Sequence, residues 1–164
     1  KVNPENKQGT FDDAVKGADV LIGCSAPGVF NVEAIKTMND KSIVFAMANP
    51  VPEIMYEEAK EKGVYIYGSG RSDMPNQVNN SSVFPGLFRG ALDVRARQIN
   101  EEMKLAAAHA LADLAIHSGK LDPDHVVVDV FDPQVPFAVA KAVAKAAIAS
   151  GVARATELPE KYRD

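Results

Sequence analysis

The 164-residue sequence predicts an α/β fold in which βα units of a doubly wound parallel sheet are followed by C-terminal helices. Three observations point there. Short continuous apolar runs, ADVLIG, SIVFAMA and VYIYG, alternate with segments of helical pattern, as expected of parallel strands buried on both faces. Strands separated by single helices of this length are consecutive βα units rather than hairpins. The second half carries helical periodicity and no strong strand pattern.

Thr10 is placed to cap a short helix over TFDDAVKG, with Asp12 and Asp13 at its positive end and Gly17 closing it. Residues 18–23 form the first strand, NVEAIKTM a helix capped by Asn31, and residues 42–48 the second strand. PEIMYEEAKEKG predicts a helix opened by Pro52 near its first turn and closed by Gly63, and residues 64–68 form the third strand. From residue 84 to 96, Leu87, Phe88, Ala91, Leu92 and Arg95 fall at helical spacing, while Arg89, Asp93 and Arg97 recur on another face. That pattern is a surface helix with an apolar stripe. Asn100 caps the next helix and Gly119 terminates it. VVVDVF fits a short strand or an extended packed segment equally well, and an Ala-rich helix over residues 135–151 turns Lys141 and Lys145 outward. The predicted division is βα units over about residues 1–83 and a mainly helical closing segment over 84–164.

A formal net charge of -4 without a basic stripe excludes general nucleic-acid and anionic-membrane binding, which need clustered Lys and Arg. No apolar run approaches the roughly 20 residues of a membrane span. A single cysteine, Cys24, excludes an internal disulfide and fits a reducing, cytoplasmic setting. The opening KVNPENKQGT is polar, loop-like and without Met, as expected of a sequence that begins part-way through a larger protein.

Ligands of open parallel sheets bind in the crevice beyond the carboxyl ends of the strands. Here those ends read GCSAPGV, ANPVPE and GSGRSDMPNQVNN, made of small residues, prolines and amides. Small residues admit a ligand close to the backbone, and an amide orients a carboxylate or carboxamide without a charge to desolvate. A nicotinamide dinucleotide with a small polar acid substrate suits this lining. Several residues have plainer readings: Asn49 before Pro50 as a turn residue, Arg71 and Asp73 as a local pair, and Cys24 as a packed strand-end residue. His109, His117 and His125 form no spaced metal cluster and read as surface or packing residues. Ser81 and Ser82 are nearer candidates than Asn79 and Asn80 for capping the helix near Pro85, which leaves the two amides without a structural task. No G-x-G-x-x-G follows a strand, so the phosphate-binding first βα unit is not in this sequence.

FAMANPVPE, DVLIGCSAPGVF and especially GRSDMPNQVNNSSVFPGLFRGALDVRARQINEEMKLAAAHALA closely resemble the C-terminal part of malic enzymes of the compact bacterial and archaeal type. The resemblance runs over residues 11–151 with the segments in order. It implies the later half of a Rossmann-like NAD(P)-binding domain in an enzyme that oxidises L-malate with NAD or NADP and releases carbon dioxide to give pyruvate, using Mg or Mn. Carried over by position, Asn49 and Asn80 match asparagines that contact malate or the nicotinamide end of the cofactor, with Asn79 as their neighbour. Ser25, Ala26, Pro27 and Gly28 match the turn along the dinucleotide. The resemblance places the catalytic Tyr and Lys, the metal ligands and the glycine-rich loop upstream, so this chain carries no catalytic and no metal residues. It also implies a homodimer or larger assembly with the rest of the enzyme chain. Ser81 and Ser82 depart from the family, which has apolar residues there. A rival reading is a non-catalytic nucleotide-binding or oligomerisation half-domain, and a further one is another nicotinamide-dependent dehydrogenase. A partial sheet is also expected to expose an apolar edge and to be poorly soluble alone.

Overall fold

Short apolar runs of four residues each, Val20–Gly23, Ile43–Ala46 and Ile66–Ser69, form strands β1, β2 and β3 of a parallel sheet in the order β1-β2-β3. The computed structural model describes residues 3–163. Helix α1 (Phe11–Val15) precedes β1, and helices α2 (Val32–Ile35) and α3 (Tyr56–Glu61) lie between successive strands. The chain divides into two compact units at Val78 and Asn79. In the second unit, a 3-10 turn over Asn80–Ser82 leads into α4 (Phe84–Asp93), followed by α5 (Glu101–His117) and α6 (Gln134–Ala149).

In the first unit, Leu21, Val44 and Tyr67 stand side by side in the register. Their row points into a core with Phe30, Ile35, Ala46, Ile54, Ala59 and Val64. The next row, Ile22, Phe45 and Gly68, turns to the opposite face, where the Phe45 ring lies where a Gly68 side chain would stand. Burial on both faces is corrected for β1. It is an edge strand, and Val20 and Ile22 are 50% and 62% exposed on the face opposite the core.

Local capping signals behave as read. Thr10 and Asp13 form a reciprocal capping box on α1, the Asn31 side chain accepts from the Glu33 N–H on α2, and the Asn100 side chain accepts from the Met103 N–H on α5. Gly17 and Gly119 adopt the left-handed backbone that ends a helix. Pro52 does not open α3. The helix starts at Tyr56; before it the Glu53 carbonyl accepts from the Gly28 N–H and its carboxylate from the Ser25 and Ala48 N–H groups, so this backbone is not coiled into a first turn. VVVDVF forms no strand. It is irregular, with Phe131 fully on the surface.

The second unit packs α4 and α5 against α6 around Leu87, Val94, Met103, Val135, Val139 and Val143. The stripe expected on α4 splits: Leu87 and Ala91 are buried, whereas Phe88 and Leu92 are exposed. Gly86 and Gly90 explain the rotation. A side chain on Gly86 would meet the Val139 Cβ at 2.6 Å, and one on Gly90 would run into the Ala140 carbonyl and the Val143 Cβ, so α4 approaches α6 with its smallest residues. Arg89 pairs with Asp93 as the i, i+4 spacing indicates, but Arg97 instead donates to the Gly151 carbonyl. Asp93 is the hub of this unit. It accepts from the Tyr162 hydroxyl at 2.6 Å and pairs with Lys161 at 2.7 Å as well as with Arg89, tying the C-terminal segment to α4. Burial pushes its carboxyl up, and the hydrogen bonds from Lys161, Tyr162 and Arg89 outweigh that and bring it down to about 2.

Two outcomes are expected. Gly90→Ala forces a methyl into the Ala140 carbonyl and lowers unfolding stability by about 1–3 kcal/mol in urea titration, despite the better helix propensity of Ala; an unchanged midpoint contradicts the close packing. Because the folded Asp93 carboxyl titrates below its ordinary 3.8, the stability it contributes is present above about pH 4 and is lost as pH falls toward about 2. Asp93→Asn should therefore lower stability near neutrality and flatten the acid limb between those values; a mutant with the wild-type acid profile contradicts the hub.

Candidate functional site

The first two strand exits are shaped by one buried acid. Glu53 is 1% exposed, and its two carboxylate oxygens serve two different turns. Oε1 accepts from the Ser25 N–H at 2.7 Å and the Ser25 hydroxyl at 3.0 Å, and Oε2 accepts from the Ala48 N–H at 3.0 Å. The Glu53 main-chain carbonyl accepts from the Gly28 N–H at 3.2 Å. The turn after β1 is thus fastened at both ends, Ser25 and Gly28, and the turn after β2 is fastened at the residue preceding Asn49. Room for the carboxylate comes from Gly23, where a Cβ would lie 2.5 Å from the Phe30 ring and 2.7 Å from the Glu53 carboxyl carbon. Burial pushes the Glu53 carboxyl up; the bonds from Ala48 and Ser25 overcome this and hold it below the ordinary glutamate range, so it is an anion at neutral pH. Sequence reading missed Glu53, placing it in the first turn of a helix, where an acid is unremarkable. The available signal was a lone charge between Pro52 and Ile54 in an otherwise uncharged exit.

Ser25, Ala26, Pro27 and Gly28 form an exposed turn with Gly28 in the left-handed region. Both donors of Ser25, its N–H and its hydroxyl, are directed to Glu53, which leaves the hydroxyl oxygen as an acceptor. Cys24 is exposed, a correction to its reading as a packed strand-end residue: β1 ends one residue earlier, and the chain turns outward there. The Asn49–Pro50 peptide bond is cis.

The third exit is built around β3. The Tyr67 hydroxyl donates to the Ile54 carbonyl at 2.8 Å, the Asn76 amide donates to the Tyr67 carbonyl at 2.8 Å, and the Val78 N–H donates to the Ser69 carbonyl at 2.7 Å. Burial raises the Tyr67 phenol above its usual range. Arg71 and Asp73 form the local bidentate pair that their spacing suggests, at 2.9 and 2.6 Å.

Asn79 has a structural task after all. Its side-chain oxygen accepts from the Ser81 N–H and caps the 3-10 turn that precedes α4. Ser81 and Ser82 cap nothing: α4 starts without a side-chain cap, and the buried Ser82 hydroxyl has no hydrogen-bond partner. The sequence contains nine asparagines. The amides of Asn3, Asn6, Asn31, Asn39, Asn76, Asn79 and Asn100 are engaged within the fold. Asn49 and Asn80 are the remaining two, and both side chains are exposed. They stand in different units, Asn49 after β2 and Asn80 at the start of the second unit.

The histidines are all on the surface, with His125 beside Asp122 at 3.0 Å. No group of three or more His, Cys, Asp and Glu among the described residues could hold a metal ion. A hollow lined by His117, Lys120, His125 and Asp132 contains none of the predicted site residues. No helix among the described residues is long and apolar enough to cross a membrane.

Residues 1–148 match the family described as malic enzyme, NAD binding domain. The chain is 54% identical over 162 residues to the bifunctional malic/malolactic enzyme of Bacillus subtilis, covering 99% of this chain and 39% of that protein. It is 52% identical to the NAD-dependent malic enzyme of Geobacillus stearothermophilus, covering 96% and 32%, and 46% identical to the NADP-dependent malic enzyme of Escherichia coli, covering 88% and 21%. Among solved structures, the malic enzyme of Entamoeba histolytica superposes with a TM-score of 0.92 at 49% identity, covering 98% of this chain and 33% of its own. The chain therefore spans about a third of the length of several relatives it matches. Its parallel sheet with flanking helices, its strand-exit sequences and these matches together show that the chain belongs to the malic enzyme family, within the NAD-binding domain.

Proposed function

We propose that this chain supplies part of the cofactor and substrate walls of an enzyme that oxidatively decarboxylates L-malate to pyruvate and carbon dioxide. The observation that carries this reading is the pair of uncommitted carboxamides. Asn49 and Asn80 are exposed, and their side chains have no hydrogen-bond partner among the described residues, at positions where the family resemblance expects contacts to malate and the nicotinamide. A carboxamide offers both a donor and an acceptor, so it can hold a carboxylate, a hydroxyl or a nicotinamide amide in one orientation. Ser25, Ala26, Pro27 and Gly28 provide a close, small-residue surface along which the dinucleotide lies, and Asn79 supports Asn80 by capping its turn.

NAD or NADP, when bound, takes the hydride from the malate hydroxyl carbon. This chain's part is binding and orientation: it holds the reacting ends of cofactor and acid in register, which is a large share of the barrier in a two-reactant step. Relatives named for NAD and relatives named for NADP are both matched, which supports either coenzyme. The reading also includes a metal held elsewhere in the enzyme, a homodimer or larger assembly, and a cytoplasmic setting that suits the free Cys24.

In the full-length enzyme, Asn80→Ala and Asn49→Ala are expected to lower kcat/KM for malate by about 10- to 100-fold with unchanged circular dichroism, the loss of one or two oriented hydrogen bonds. Wild-type kinetics in both variants removes the site assignment. Absence of malate-dependent NAD or NADP reduction by the unmutated enzyme, with Mn supplied, instead favours a non-catalytic half-domain.

A further inference from the structure

The Glu53 carboxylate is unusual in what it lacks. Among the described residues no Lys, Arg or His pairs with it, and its charge is met by the Ser25 and Ala48 N–H groups and the Ser25 hydroxyl. A buried anion without a counter-ion is costly unless its acceptor sites are well filled, and this one brings together backbone segments 23 to 28 residues apart in sequence, not neighbours in a helix. Its position is equally specific. Of the residues assigned to the cofactor, Ser25 and Gly28 receive their backbone fixings from Glu53, and Ala48 is the residue immediately before Asn49.

We infer that Glu53 is a positioning residue of the cofactor site, holding the turn after β1 and the turn after β2 in the fixed relation that the bound dinucleotide requires. The inference rests on the cofactor reading given above. Glu53 does not touch the ligand; it acts through Ser25, Gly28 and Asn49. Ser25 shows why the link is functional as well as structural. With both of its donors directed inward to Glu53, Ser25 contributes to the cofactor wall by where its backbone stands, and the carboxylate determines that place. Glutamine at position 53 is the discriminating substitution. It preserves length and shape, but replaces one acceptor oxygen with an NH2 group that faces either the Ser25 or the Ala48 donors, so one of the two turns is released.

The test is fluorescence titration of NADH and NADPH into the full-length enzyme, with steady-state kinetics alongside. Glu53→Gln is expected to raise the Kd for reduced cofactor about tenfold or more, with a rise in cofactor KM that exceeds any fall in kcat. Glu53→Asp, which keeps the charge but is too short to reach the Ser25 and Ala48 donors together, is expected to raise Kd by about two- to fivefold and decides the question if Glu53→Gln does not fold. A purely structural Glu53 lowers the melting temperature but leaves cofactor Kd in the folded protein unchanged, and that result overturns the inference. If the wild-type enzyme binds neither NADH nor NADPH, the cofactor reading falls and takes this inference with it. If it binds cofactor but does not turn over malate, the substrate assignment falls alone, and the Glu53 comparison still decides.

Discussion

A carboxylate taken out of water without a cation beside it among the described residues sets the geometry of the turns after β1 and β2. Glu53 remains ionised inside the first unit because two turns turn their N–H groups toward it, and those turns have their shape because the carboxylate is there. The dependence runs in both directions. Without the acceptors on Glu53, the Ser25 and Ala48 donors would be left unmatched, and without those donors the charge could not stay buried. Gly23 belongs to the same arrangement, since any side chain there would displace the Phe30 ring and the carboxylate together.

This arrangement fastens the first two exits by hydrogen bonds in place of apolar burial. The sheet is only three short strands, and one face of β1 is open. Apolar burial on the α2 and α3 side anchors the strands, but it does not reach the loops beyond them. Hydrogen bonds do: Glu53 holds the first two exits, and Tyr67 with Asn76 holds the third to the loop before α3 and to its own strand. Asn49 is therefore displayed on a fixed support while its own side chain is uncommitted, the condition under which an amide orients a ligand at little entropic cost.

The second unit solves a different problem, bringing three helices close enough to share a core of Val and Ala. Small residues on α4 permit the approach to α6, and Asp93 then locks the C-terminal segment through Tyr162 and Lys161. As with Glu53, a largely buried carboxylate is kept ionised by directed donors, but here two of the donors are cations and the result is fastening of a chain end.

How much was legible in the sequence follows from the range of each interaction. The helix caps at Thr10, Asn31 and Asn100, the Arg71–Asp73 pair and the alternation of strands with helices were readable, because each depends on partners within a few residues or on periodic burial. The family resemblance was readable too, since ordered motifs survive without coordinates. Other features were not. Pro52 failed to start a helix, Cys24 turned outward, Asn79 took a capping role, and α4 buried its glycines in place of Phe88 and Leu92. In the α4 case, the deciding contacts come from another helix more than forty residues away in sequence. The sequence by itself determined the α/β class, the order of its elements and the family. Only the tertiary structure decided that Glu53 organises the first two exits and that the Asn49 and Asn80 side chains have no hydrogen-bond partner among the described residues, because a hydrogen-bond partner distant in sequence leaves no periodic trace along the chain.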